Sequence, residues 1–175
     1  MLKVIALLLM AALGTIGTLA AFQPDSIQIE RSIKIKASED VVFQKINDLH
    51  EWDAWSPWAK KDPAMVVIHS GANSGIGAIY EWSGNSDVGK GRMEITDMSP
   101  TSRVSIKLDF LEPFKVQNTV EFRLNTDEGF THTTWSMQGP MPFTSKIFSV
   151  LVNMDEMVGG DFENGLANLK AIAEN

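Results

Sequence analysis

Four side chains of the 175-residue sequence could transfer or donate a proton inside an apolar domain: Tyr80, Arg92, Glu94 and His132. Tyr80 lies in Ala78-Ile79-Tyr80-Glu81-Trp82, where strand alternation puts Ala78, Tyr80 and Trp82 on one side and Glu81 on the other. Arg92 and Glu94 could act as counter-charge and acid only if their own strand turns them inward, and otherwise read as exposed strand charges. His132 alternates with Thr131 and Thr133 and is expected on the solvent side of its strand. Neither His50, His69 nor His132 has a histidine three or four positions away, so no metal site is expected, and no cofactor. The absence of cysteine excludes thiolate nucleophiles, disulfides and cysteine-held zinc. Gly71, Gly75 and Gly77 lack the Lys-Ser/Thr of a phosphate loop and read as turns. No complete catalytic constellation emerges.

A larger set of residues suits binding. Trp82 and Tyr80 share a face of one strand, and Thr133, Trp135 and Met137 share a face of another. Met93 and Phe110 on the strands between them, with Met154 and Phe162 near the C-terminus, complete the candidate lining of an apolar cavity. Nine methionines and five tryptophans supply adaptable, polarizable walls. The competing reading is that the same side chains simply fill a core. Trp52, Trp55 and Trp58 recur every three positions around Pro57 and are expected in a loop lidding one mouth of the cavity, or else in a surface loop pinned by its indoles.

The elements that must position these groups follow from periodicity. Ile27 to Ile35 alternates as a strand, and Ser38-Glu39-Asp40 begins a short helix carrying Val41, Val42, Phe43 and Ile46. Leu49 to Pro63 reads as a loop or broken helical turn. Met65–His69, Gly77–Ser83, Gly89–Met98, Arg103–Phe110, Val116–Leu124 and Phe130–Gln138 read as six further strands with short turns, hence an antiparallel meander. An apolar stripe from Ile147 to Ala173 predicts a terminal helix, with a start or hinge at Gly159-Gly160 and Asp161 as its cap.

Val4 to Phe22 carries no charge and, as a helix, would extend roughly 28 Å, close to a bilayer's hydrocarbon thickness. Residues 1–22 are therefore expected to be a single-pass anchor, with a cleaved signal peptide as the rival; 23–26 form a spacer and 27–175 the domain. Lys3 alone favours an extracytoplasmic domain. A net charge of −7 with scattered Lys and Arg excludes nucleic acid as the expected partner.

The order strand, short helices, six antiparallel strands and long helix, with Trp52-Asp53-Ala54-Trp55-Ser56-Pro57-Trp58, Gly77-Ala78-Ile79-Tyr80-Glu81-Trp82, Gly89-Lys90-Gly91, Thr133-Thr134-Trp135-Ser136-Met137-Gln138-Gly139 and the segment Gly160 to Lys170, resembles the START-like superfamily. The likeness is to its polyketide cyclase/dehydrase and lipid-transport branch. It implies an α+β helix-grip fold, a curved sheet wrapped around the C-terminal helix, and a hydrophobic cavity between them. Carriage of a lipid-like molecule beside a membrane is the leading expectation; a cyclase or dehydratase and a scaffold with a vestigial cavity are the alternatives.

Overall fold

The computed structural model describes all 175 residues. Helix α1 (Leu2–Ala21) leads into strand β1 (Ser26–Ile35) and helix α2 (Glu39–Asn47). A 3-10 turn (Leu49–Glu51) and two short helices, α3 (Trp52–Trp55) and α4 (Pro57–Lys61), follow. Six strands come next: β2 (Val66–Gly71), β3 (Ala78–Ser83), β4 (Lys90–Ser99), β5 (Arg103–Glu112), β6 (Val116–Asp127) and β7 (Phe130–Pro140). Helices α5 (Phe143–Leu151) and α6 (Met154–Ala173) close the chain.

The seven strands make one antiparallel sheet in the order β1-β7-β6-β5-β4-β3-β2. β1 pairs with β7 without a slip from Ser26↔Pro140 to Ile35↔Thr131, so the first strand is fixed to the last and becomes a sheet edge. Register shifts in the β4–β5 pair at Lys90/Gly91 and Ile95/Asp97 add local twist where the sheet must curve. The concave face carries Ile29, Ile35, Tyr80, Met93, Ile106, Leu108, Val120, Phe122 and Trp135, all buried. This is the helix-grip arrangement, with α6 held by the sheet along β1 and by α2, α3 and α4.

The segment Leu49 to Pro63 is helical turns rather than a loop, and the tryptophan spacing explains it. Trp52 and Trp55, three apart, project from one side of α3 and reach back to α2, where their indole nitrogens donate to the Ile46 and Lys45 carbonyl oxygens at 3.0 and 3.1 Å. Those carbonyls end α2 and lack helical partners, so the indoles both fill the core and cap a helix. Pro57 then takes the first position of α4, where its missing N–H costs nothing.

The expected break at Gly159-Gly160 does not occur. α6 runs through both glycines, and the interruption lies at Val152–Asn153, where the Asn153 side chain caps α6 by accepting from the Glu156 N–H. The glycines are retained for contact rather than for bending. A Cβ at Gly159 would stand 2.1 Å from Arg31 Nη2, and one at Gly165 would stand 2.7 Å from the Trp135 ring and 3.1 Å from Pro57. Arg31 occupies an inward position of β1 between Ile29 and Ile33 and spends its charge on α6, pairing with Asp155 at 2.9 Å and Glu163 at 2.7 Å. The Asp155 carboxyl is held below the usual range by that hydrogen bond.

Gly160, with nothing near its missing Cβ, and Gly165, against a rigid ring, should respond oppositely to alanine. Gly160→Ala is expected to raise unfolding stability by about 0.5–1 kcal/mol through helix propensity, while Gly165→Ala lowers it by about 1–3 kcal/mol through overpacking. Urea denaturation of the two variants checks the pair; equal shifts would refute the notch at Gly165.

Candidate functional site

The middle of the grip is a block of aromatic rings. Trp135 on β7 stacks on Phe162 of α6 with ring centroids 4.2 Å apart and planes at 7°. Phe122, Trp55 and Trp58 pack around Trp135 at 4.9, 5.6 and 5.7 Å, and Trp52 lies 4.8 Å from Trp55. Trp52, Trp55, Trp135 and Phe162 are at most 2% exposed. The lid expected of Trp52 and Trp55 is therefore replaced by a core role, because their N–H groups find α2 carbonyls that only an inward pose can reach. Trp58 is half-buried against Phe162 and Trp135, on the outer side of the same block. The centre between sheet and α6 is filled with rings at that level.

Of the acid and base candidates only Tyr80 faces the interior. Met93 is the inward residue of β4, which turns Arg92 and Glu94 to the convex face, where they pair with each other at 2.8 Å. His132 also lies outside, its Nε2 3.9 Å from Asp127. Burial, aided by the Asp53 charge, pushes the Tyr80 phenol up to about 12, so at neutral pH it is a hydrogen-bond donor rather than a base. The structure also joins two histidines that sequence spacing kept apart. His50 from the 3-10 turn stacks on His69 of β2 at 4.0 Å, and His69 meets Tyr80 edge-on at 5.3 Å. Burial and the neighbouring His50 lower the His69 pKa. Cross-strand pairing of His69 with Tyr80 is the register fact that the sequence did not disclose.

Trp82, Met93 and Phe110 line the concave face beyond Tyr80. Trp82 packs edge-on against Phe110 at 6.0 Å and donates from its indole nitrogen to the Val88 carbonyl at 2.9 Å. Toward the strand ends nearest α1 the lining changes character. Asn118, 5% exposed, takes an inward place in β6 that alternation would give to an apolar residue. Its Oδ1 has no hydrogen-bond partner, and its Nδ2 reaches only the Met137 sulfur at 3.4 Å. Thr133 Oγ1 and the Trp135 indole nitrogen are likewise buried without partners. Met137, Gly139 and Met141 alternate inward along the end of β7, and Gly139 makes room for the Asn118 carboxamide. Beside Met141 opens a groove of about 490 Å³, bordered by Ile27, Ile29, Leu151 and Met154 among others. Met154 thus belongs to this end groove rather than to a central cavity.

Against this geometry the comparisons are informative. The sequence model of a family described as polyketide cyclase / dehydrase and lipid transport matches residues 26–174. The chain belongs to this polyketide cyclase/dehydrase and lipid-transport family. The di-domain ARO/CYC StfQ of the steffimycin biosynthetic pathway is similar with TM-score 0.63 at 12% identity, over 85% of this chain and 51% of that one. Major latex-like protein 151 of Panax ginseng gives TM-score 0.62 at 13% identity, over 87% and 100%. The Aha1 dimer of Colwellia psychrerythraea gives 0.58 at 18% identity, over 85% and 96%. At these identities the structural likeness shows the fold alone. No curated protein matches by sequence.

Tyr80 is the single tyrosine, so its ionisation can be read without interference. Spectrophotometric titration of the folded protein is expected to show a midpoint near 12, and Asp53→Asn should lower it. Because the folded value lies above the ordinary 10.0, this group's stabilising contribution is complete below that pH and is lost as pH rises toward the folded value. A midpoint at the ordinary value would mean a solvent-facing phenol. For His69 the sign reverses: its folded pKa lies below 6.5, so neutral burial contributes stability above that pH that fades on acidification. His69→Gln should accordingly flatten the fall in stability between neutral and mildly acid pH, measured by urea midpoint at each pH.

Proposed function

We propose that this family member binds a lipid-like molecule at the α1 end of the grip and holds it beside a membrane in which α1 is anchored. The apolar part of the ligand lies in the groove between β1, Met141 and the α5–α6 junction. Its single polar function hydrogen-bonds to Asn118. The observation that carries the reading is the Asn118 carboxamide, buried among apolar side chains with only a thioether for company. A buried amide without a partner costs about 1–3 kcal/mol, which a ligand oxygen or hydroxyl removes. Met141 borders the groove two residues beyond Gly139, which packs on the amide, and a flexible thioether side chain can swing aside at low cost.

Three further observations support it. The family's description includes lipid transport. α1 is a 20-residue apolar helix, 6% buried over its most apolar window, long enough to cross a bilayer or to serve as a signal sequence. The groove is bordered by Gln23 and Pro24 of the linker that joins α1 to β1, so with α1 embedded a molecule leaving the bilayer would meet it without crossing open water, where each exposed methylene would cost about 0.8 kcal/mol.

Native mass spectrometry of the full chain after gentle membrane extraction tests the reading. The expected result is a copurifying apolar molecule, with occupancy reduced on the order of tenfold in Asn118→Leu from the lost hydrogen bond. Protein that is empty in every extract, with Asn118→Leu more stable and otherwise indistinguishable, would leave Asn118 as a mere packing defect.

A further inference from the structure

Helix α5 buries none of its residues completely. Phe143, Phe148 and Leu151 are 54%, 40% and 66% exposed, and the only charge on the helix, Lys146, is tied to Asp25. Such a surface is unfavourable in water, and α5 is packed against α1, whose least exposed positions, Ile16, Gly17 and Ala20, fall in its last two turns. From Ile16 to the end of α1 at Ala21 is about 8 Å along the helix axis. If α1 spans, α5 therefore sits at the depth where amphipathic helices bury an apolar face, roughly 5–10 Å into the headgroup and acyl boundary.

A second apolar projection points the same way. The β5–β6 hairpin tip carries Leu111 and Phe114, 46% and 47% exposed. Strand register places this tip at the sheet end that also holds the start of β1 and the end of β7, since Phe110 pairs with Val116 and Ser26 with Pro140. The opposite sheet end, at the β6–β7 turn, presents Asp127 and Glu128 instead.

We propose that the α5 face and the β5–β6 tip form a second membrane contact, a lipid-docking surface that seats the α1 end of the grip in the bilayer interface and aims the groove at the acyl region. The occupant is lipid because α5 packs against α1, because Lys146 on α5 and Glu112 at the tip are paired with Asp25 and Lys90 while the remaining tip charge, Lys115, is a cation suited to anionic headgroups, and because the aromatic and leucine side chains match the interfacial zone. The proposal rests on α1 being an anchor, and it fixes an orientation that an anchor alone leaves free.

The chain contains no cysteine, so single-cysteine variants of the full protein can carry an environment-sensitive fluorophore without background labelling. Leu8→Cys reports the anchor, Phe148→Cys, Leu151→Cys and Phe114→Cys report the proposed surface, and Asp127→Cys reports the far end. The labelled proteins are placed in vesicles of phosphatidylcholine and phosphatidylglycerol with and without nitroxide-bearing lipid. Labels at 8, 114, 148 and 151 are expected to lose on the order of half their emission to the nitroxide, the first from within the hydrocarbon and the others from interfacial depth, while the label at 127 does not change. Quenching at 8 with none at 114, 148 and 151 overturns the docking surface and leaves the anchor standing. Blue-shifted but unquenched labels at 148 and 151 mean a second protein copy covers α5, which also overturns it. No quenching at 8 removes the anchor reading itself.

Discussion

The stacking of Trp135 on Phe162 is the contact on which the arrangement of this grip depends. It holds α6 to β7 at the middle of the sheet, and it is possible only because Gly165 leaves the helix surface flat beneath the ring. Phe122, Trp55 and Trp58 then close around the pair. Rings of this size bury large apolar areas and prefer the offset and edge-on geometries seen here. The consequence is that the fold's interior is divided. Solid packing occupies the centre, and the groove, with the unsatisfied Asn118 carboxamide, lies toward the sheet end that holds the start of β1.

Charge placement follows the same division. Arg31 faces inward on β1 but is neutralised by Asp155 and Glu163 on α6, so it fastens the helix to the sheet edge along its first turns instead of facing a ligand. Arg92 and Glu94 pair on the convex face. The concave face is left with neutral polar atoms, Asn118, Thr133 and the Trp135 indole nitrogen, whose hydrogen-bonding capacity is unspent. Neutral donors and acceptors in an apolar lining could orient the proposed guest without the large desolvation cost of a buried ion.

Much of the fold was legible because alternation and helical stripes are local. The seven strands and the terminal helix follow from the period of Ile27 to Ile35, of Phe130 to Gln138 and of the stripe through Leu166 and Leu169. The outward placement of Glu81 and His132 followed from the same rule, once Tyr80 and Trp82 were taken as inward. What periodicity could not convey was partnership at long range. Gly159-Gly160 looked like a helix start or hinge because the contact that Gly159 serves, Arg31, is distant in sequence. The choice between a loop and a broken helical turn at Trp52 and Trp55 stayed open because the carbonyls they cap belong to a different helix. Asn118 was visible in principle, as the polar residue interrupting the inward series Val116, Val120, Phe122 and Leu124. The meeting of His50 and His69 was not, since it depends on where a short 3-10 turn lands beside β2.

Only Phe22 to Asp25 separate the end of α1 from the first strand. Four residues span at most about 14 Å even when fully drawn out. If α1 is the proposed anchor, a domain on so short a leash cannot commute between compartments; it explores a thin layer over one leaflet and moves only as fast as its anchor diffuses sideways. A ligand held as proposed would then be surrendered within that layer, to the same bilayer, to an apposed one, or to a soluble acceptor that comes to it. On the proposed function, the domain would be a stationary handover post rather than a ferry.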